Sequence, residues 1–252
     1  MEQFIVSARK YRPNSFESLV GQENIATTLK NSILRGQLAH AYLFCGPRGV
    51  GKTTSARIFA KSINCLNPSE DMEPCGQCES CLSCSEGRSY CIHELDAASN
   101  NSVDDIRNLT EMVRIPPQIG KYSVYIIDEV HMLSAAAFNA FLKTLEEPPA
   151  YAVILLLTTS MEAMLPTIIS RCVNLSMKPV PDKVLKEFLM QEMRVPDYKA
   201  DISVAFARGN LGRAKVMVSN EDFDKMRDDA VTLLKYIDEM EIHEVVSAIQ
   251  KI

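Results

Sequence analysis

The sequence predicts an α/β fold, in which a mostly parallel sheet covered by helices on both faces is followed by a small helical domain. Short apolar runs alternate with segments of helical period. A glycine-rich phosphate-loop template sits at the first strand-to-helix junction, and the strand pattern stops near Pro179-Val180-Pro181. With 252 residues, 46% of them hydrophobic, the chain is long enough for one large domain and a smaller second one, each with its own core.

The runs Ala41-Tyr-Leu-Phe-Cys45, Cys91-Ile-His-Glu-Leu-Asp96, Ser123-Val-Tyr-Ile-Ile-Asp128 and Ala152-Val-Ile-Leu-Leu-Leu157 each end in polar punctuation. They read as strands buried on both faces, since a half-solvated strand would alternate apolar with polar residues. Helical patterns lie between them, at Thr53 to Ile63, Val103 to Val113 and Ala135 to Leu145. Strand, helix, strand in this order makes the sheet parallel and places a ligand at the carboxyl ends of the strands. Beyond Pro181 the chain reads as helices broken at Gly209, Gly212 and Val218-Ser-Asn220. The expected organisation is a sheet domain over 1–179, a helical lid over 180–216 and the first helices of a further domain over 217–252.

No apolar run is long enough for a membrane span, and Met1-Glu2-Gln3-Phe4 lacks the basic and then apolar layout of a signal peptide. The expectation is a soluble cytoplasmic protein with no membrane partner. A net charge of −5 repels nucleic acid, so any DNA contact has to be local or shared with partners. Mixed charges from Glu221 to Lys235 read as a solvated helix face. Eight cysteines without an export signal point to reduced thiols or a metal site rather than disulfides.

The segment Gly46-Pro47-Arg48-Gly49-Val50-Gly51-Lys52-Thr53 fits the P-loop template without a mismatch, and Thr54 continues it into the helix. Its glycines let backbone N–H groups approach phosphates, Lys52 pairs with the outer phosphates, and the Thr53 hydroxyl can ligate Mg²⁺. ATP with Mg²⁺ is therefore the expected ligand. Asp128-Glu129 ends a strand in an acidic pair, with Asp128 suited to the same metal and Glu129 to polarising an attacking water. His131 follows closely and reads as a structural hydrogen-bonding group.

Cys65, Cys75, Cys78 and Cys81 form the pattern C-x9-C-x2-C-x2-C inside a polar insertion over roughly 64–91. Four thiolates at this spacing suit tetrahedral Zn²⁺ with no open position, a structural ion that would order a segment poor in apolar side chains. Cys84 continues the spacing and is an alternative fourth ligand.

Together these residues resemble the gamma/tau subunits of bacterial replicative clamp loaders, which are AAA+ ATPases. The resemblance is carried by Ala8-Arg-Lys-Tyr11-Arg12-Pro13, Gly21-Gln22, His40 to Thr53, the four cysteines, Glu94-Leu-Asp-Ala-Ala-Ser99, Ile126 to Leu133 and Phe141 to Pro149. It implies that Arg9, Tyr11, Arg12, Pro13, Val20 and Gly21 flank the adenine. It also implies that Thr158 or Thr159 senses the γ-phosphate, and that Arg171 of Ser170-Arg171-Cys172 reaches into a neighbouring subunit's ATP site. The implied partners are delta, delta-prime and further gamma/tau subunits, the sliding clamp, primer-template DNA and the polymerase core.

From about Tyr151 onward the wording is closer to delta-prime. The lid reads Gly209-Asn-Leu-Gly212-Arg213-Ala214, where gamma/tau chains have arginine one position earlier; one residue turns a helical side chain by about 100°, so Arg213 is a displaced candidate for the lid's phosphate contact. A non-hydrolysing, delta-prime-like scaffold that donates Arg171 in trans is the alternative reading. The tract Ala97 to Ser102 offers backbone N–H groups to a DNA phosphate or, more simply, an N-cap at Ser102.

Overall fold

In the computed structural model, residues 13–117 and 119–237 are described, together with Met240, Val245, Val246 and Ile249. Arg9, Tyr11 and Arg12, expected at the base site, lie outside them. The elements run α1 (Glu23–Leu34), β1 (Ala41–Cys45), α2 (Lys52–Ile63), α3 (Glu79–Ser85), β2 (Ile92–Asp96), α4 (Val103–Val113) and β3 (Ser123–Asp128). A 3-10 turn at Val130–Met132 leads to α5 (Ala135–Glu146), β4 (Ala152–Thr158), α6 (Pro166–Ile169) and β5 (Val173–Ser176). Four helices follow: α7 (Asp182–Glu192), α8 (Asp197–Ala207), α9 (Leu211–Ser219) and α10 (Glu221–Tyr236).

The five strands form one parallel sheet in the order β2-β3-β4-β1-β5. Successive side chains of the central strands point to opposite faces, and both faces are apolar because both are covered. Tyr42 and Phe44 of β1 pack with Leu29 of α1 and Phe59 of α2 on one face, whereas Leu43 packs with Ile106 of α4 and Phe141 of α5 on the other. A third core, including Leu185, Leu189, Ala200, Val204 and Ala214, is formed mainly by α7, α8 and α9 with Val180 and Val195, and Val20 packs against it.

The reading of four strands falls one short. In β5 only Leu175 is buried, since the strand lies at the sheet edge, and a single apolar residue in four gives no period to detect. The short α3 inside the cysteine-rich insertion was equally invisible, because its order comes from the thiol cluster rather than an apolar stripe.

The chain enters the lid through Met177 to Val180. Val180 N–H donates to the Gly209 carbonyl at 3.0 Å. Gly209 has φ +74°, and a Cβ there would meet the Pro179 Cβ at 2.5 Å, so the close approach of the two segments requires glycine.

Asn64, 2% exposed at the end of α2, ties the insertion to the sheet. Its amide donates to the Tyr122 carbonyl at 2.9 Å, and its carbonyl oxygen accepts from Lys121 N–H at 3.1 Å and Tyr122 N–H at 2.9 Å. Replacing it leaves three part-buried backbone groups of Lys121 and Tyr122 without this partner. Asn64→Ala is therefore expected to cost about 2–4 kcal/mol, read as a lower midpoint in urea unfolding with an unaltered slope.

Candidate functional site

The P-loop closes over the carboxyl end of β1 because its glycines allow what other residues cannot. Gly49 and Gly51 have φ +81° and +100°, and a Cβ on Gly46 would lie 2.4 Å from the Met177 carbonyl oxygen. Gly51 caps α2 without a side chain, so the first N–H groups of this twelve-residue helix and the positive end of its dipole face the loop.

Lys52 is 7% exposed, and its ammonium donates to the carbonyls of Gly46 at 2.7 Å and Pro47 at 3.0 Å. Burial pushes its pKa down, while the carboxylates of Glu129 and Asp128 oppose that shift. Thr53 Oγ1 donates to Asp128 Oδ2 at 2.8 Å, and Asp128 Oδ1 accepts from Glu129 N–H at 2.8 Å.

Glu129 sits in the left-handed region at φ 48°, a conformation that costs free energy in a residue with a Cβ and that clusters at functional sites. One of its oxygens accepts from Arg48 Nε at 3.1 Å. The other is buried without a hydrogen-bond partner, 3.6 Å from His131 Nε2. Such an oxygen is where a water or ligand group would bond.

Because β4 lies between β1 and β3, its last residue emerges between the P-loop and the acidic pair. That residue is Thr158, fully buried and in register with Cys45. Its hydroxyl contacts His131 Nδ1 at 3.2 Å and donates to the Ser160 carbonyl at 3.1 Å. His131 thus stands between Thr158 and Glu129, in contact with Thr158 and 3.6 Å from Glu129 Oε2. Thr158 is the member of the threonine pair in contact with His131, and Thr159 is half-buried beside it.

Above the P-loop opens a cleft of about 340 Å³. Arg48 to Thr54, Asp128 and Glu129 line one side, Pro13, Leu19, Val20, Gln22 and Val180 the other, and Asn210, Leu211, Gly212, Lys215 and Val216 the lid. Polar groups gather at the loop and apolar walls face them, an arrangement that takes a phosphate chain at one end and a flat base at the other. Gly46 and Pro47 hold Lys52 from behind, and Gly21 packs against Val180 beside the cleft.

Two predicted residues are elsewhere. Arg213 is exposed and does not line the cleft, since the extra step along α9 turns it outward. Arg171, at the end of α6, pairs with Glu146 at 2.6 Å and donates to the Thr167 carbonyl at 2.6 Å, so within this chain it is a surface ion pair.

Lys215 was missed. It stands three residues after Gly212 on the same helix face, which is the signal that would have found it. Its ammonium lies 4.8 Å over the Phe188 ring, and burial lowers its pKa. Leu19, Gln22, Val180 and Asn210 were also missed, because nothing in their local sequence marks a cleft assembled from distant segments.

The thiols of Cys65, Cys75, Cys78 and Cys81 all lie within 4.8 Å of one another. Cys65 to Cys78 and Cys75 to Cys81 are 4.0 Å apart, near the edge of about 3.8 Å that a ZnS₄ tetrahedron requires. Backbone N–H groups of Gln77 and Cys78 point at the Cys75 sulfur and lower its pKa to about 6, favouring the ligating thiolate. Cys84 is outside the cluster: burial raises its pKa, and the nearest charges are Lys61, Glu94 and Arg57.

The tract Ala97 to Ser102 keeps its donors occupied. Asp96 accepts from the N–H groups of Ala98, Ser99 and Asn100, and Ser102 and Asp105 form a reciprocal capping box at the start of α4. The capping explanation accounts for this tract without DNA. Among the described residues no helix is long and apolar enough to cross a membrane.

Known proteins resemble this chain in both sequence and shape. The family described as "DNA polymerase III, delta subunit" matches residues 21–181. DNA polymerase III subunit tau of Bacillus subtilis is 44% identical over 208 residues, covering 81% of this chain and 37% of that protein. The tau subunit of Escherichia coli is 48% identical over 173 residues, 69% of this chain and 27% of that protein, so the chain spans well under half of these relatives. Among solved structures, the Thermotoga maritima RuvB Holliday junction branch migration motor superposes with a TM-score of 0.58 at 20% identity, over 95% of this chain and 72% of that one. That likeness shows a shared AAA+ P-loop fold, whereas the sequence matches carry the assignment: the chain belongs to the DNA polymerase III subunit family, with tau/gamma subunits as its curated relatives.

Proposed function

We propose that this chain is the ATP-binding and ATP-hydrolysing subunit of a bacterial replicative clamp loader, which opens a sliding clamp and loads it onto primed DNA for DNA polymerase III. The observation that carries the reading is the 2.8 Å contact between Thr53 and Asp128 beside a buried, unpartnered oxygen of Glu129. A P-loop hydroxyl and a strand-end carboxylate in contact make a donor set suited to Mg²⁺, which when bound neutralises phosphate charge.

In this reading the protein's own groups do the following. The α2 N-terminus and the glycine-loop amides hold the phosphates. Lys52 exchanges its two carbonyl acceptors for phosphate oxygens. Glu129 orients the attacking water through its free oxygen, with Arg48 holding the other oxygen of the carboxylate. The apolar walls at Pro13, Leu19, Val20 and Val180 receive the base, joined by Gly21 and by Arg9, Tyr11 and Arg12. Lys215, rather than Arg213, supplies the lid's cation. Arg171 serves a neighbouring subunit's site, since it lies outside its own cleft. The cysteine cluster holds a structural Zn²⁺. Delta, delta-prime and further gamma/tau subunits, the clamp, primer-template DNA and the polymerase core are the proposed partners, in the bacterial cytoplasm.

The exposed Arg171 also suits a non-hydrolysing scaffold that only donates this arginine. The intact set of Lys52, Thr53, Asp128 and Glu129 favours the hydrolytic role, because a scaffold has no use for a poised carboxylate.

Lys52→Ala is expected to abolish ATP binding measured by calorimetry; unchanged binding in this variant would rule out the cleft. Arg171→Ala should leave the isolated chain's ATP affinity within about twofold yet lower turnover in a reconstituted mixture with partner subunits and primed DNA by roughly 10³ or more. Lys215→Met is expected to weaken ATP binding by about tenfold, as for loss of a charge-assisted contact, with Arg213→Ala near neutral. Elemental analysis should find one zinc per chain, lost in Cys78→Ser together with several degrees of thermal stability.

A further inference from the structure

The cysteine insertion does more than fold beside the sheet. Glu73, in the loop between Cys65 and Cys75, reaches across to the segment that precedes α1. Its side chain is 14% exposed, and both carboxylate oxygens are used. Oε2 accepts from Phe16 N–H at 2.8 Å, and Oε1 accepts from Glu17 N–H at 3.2 Å and pairs with Lys30 Nζ at 2.7 Å. The same ammonium lies 5.9 Å over the ring of Phe16, itself 2% exposed.

The fixed segment turns at once into the cleft. Leu19 N–H donates to the Phe16 carbonyl at 3.1 Å, and Leu19 and Val20 then form the apolar wall opposite the P-loop. The orientation of Glu73 depends in turn on the thiol cluster. Glu73 N–H donates to Ser69 Oγ at 3.1 Å, its carbonyl accepts from Ser69 N–H at 3.0 Å, and Met72 adopts φ 59° within this tight turn. Cys75 N–H, two residues on, points at Cys65 Sγ at 3.3 Å. An ion held by Cys65 and Cys75 would close this loop at its base and remove much of the freedom that Glu73 would otherwise have.

We propose that Glu73 is a positioning residue of the nucleotide cleft, through which filling of the Cys65, Cys75, Cys78 and Cys81 site strengthens binding at the base end. This rests on the nucleotide-binding reading above. Glu73 touches no ligand; it acts through Phe16 and Glu17 on Leu19 and Val20. The phosphate end is built from the P-loop and β3, and Glu73 makes no contact there. Loss of the brace therefore weakens ligands that carry a base and spares those that carry only phosphates.

The test measures displacement of a fluorescent ATP analogue from the zinc-loaded chain by ATP, ADP and inorganic tripolyphosphate, each with Mg²⁺. Glu73→Ala is expected to weaken ATP and ADP alike by about tenfold and tripolyphosphate by less than about twofold, with zinc content unchanged. Stripping zinc from the wild-type chain should give the same pattern and add little to Glu73→Ala, because the two act through one contact. Glu73→Gln keeps an acceptor for Phe16 N–H but loses the charge toward Lys30, so it should fall between, and it serves if the alanine variant folds poorly. Unaltered ATP affinity in Glu73→Ala, equal loss for all three ligands, or a chelation effect of the same size in variant and wild type would each overturn the proposal. Lys52→Ala separates the two levels: it should lose all three ligands, and if it binds ATP as tightly as wild type the nucleotide reading itself fails.

Discussion

The contact between Thr53 and Asp128 joins two segments that are far apart in sequence and brings both halves of the nucleotide site into register. It forms because α2 starts directly after the P-loop and β3 ends in an acidic residue, with β4 holding the two strand ends at a fixed separation. The rest of the cleft depends on that spacing. Lys52 is buried by the loop that α2 begins, Glu129 is aimed by the turn that Asp128 starts, and Thr158 emerges between them.

The same helix carries the constraint outward. Thr53, Arg57 and Lys61 follow one another at steps of four, so they share a face. Thr53 meets Asp128, Arg57 pairs through two hydrogen bonds with Glu94 of β2, and Lys61 donates to Ser85 Oγ at 3.0 Å at the end of α3. Ser85 in turn donates to the carbonyl of Cys81, a member of the thiol cluster. One helix face therefore runs from the Thr53–Asp128 contact in the cleft to the insertion. The Arg57–Glu94 ion pair alone would add little stability, but with Thr53 and Lys61 bonded to two further elements the three contacts hold this face of α2 in place.

The sheet and the P-loop were legible because their signals are local: continuous apolar runs, a glycine spacing and an acidic strand end. The four cysteines were legible for the same reason. What could not be read was set by tertiary contact. β5 buries only Leu175, so its strand character comes from pairing with β1 rather than from its own residues. The apolar wall at Leu19 and Val180 is assembled from segments that precede and follow the sheet in sequence. The cation on the cleft side of the lid required counting along a helix face: Arg213 is exposed, whereas Lys215 lines the cleft. Arg171 shows the converse, since a motif that stands out in the sequence sits in the structure as an ion pair with Glu146.

Asn210 brings the lid and the loop to a shared side chain. Its Oδ1 accepts from Arg213 N–H at 3.0 Å, capping α9, while its amide lies so close to Gly49 that a Cβ on that glycine would overlap it. The cap and the spacer are one group. No side chain larger than hydrogen can therefore stand at position 49 without displacing the group that begins α9, so the start of the lid and the width of the loop are fixed together.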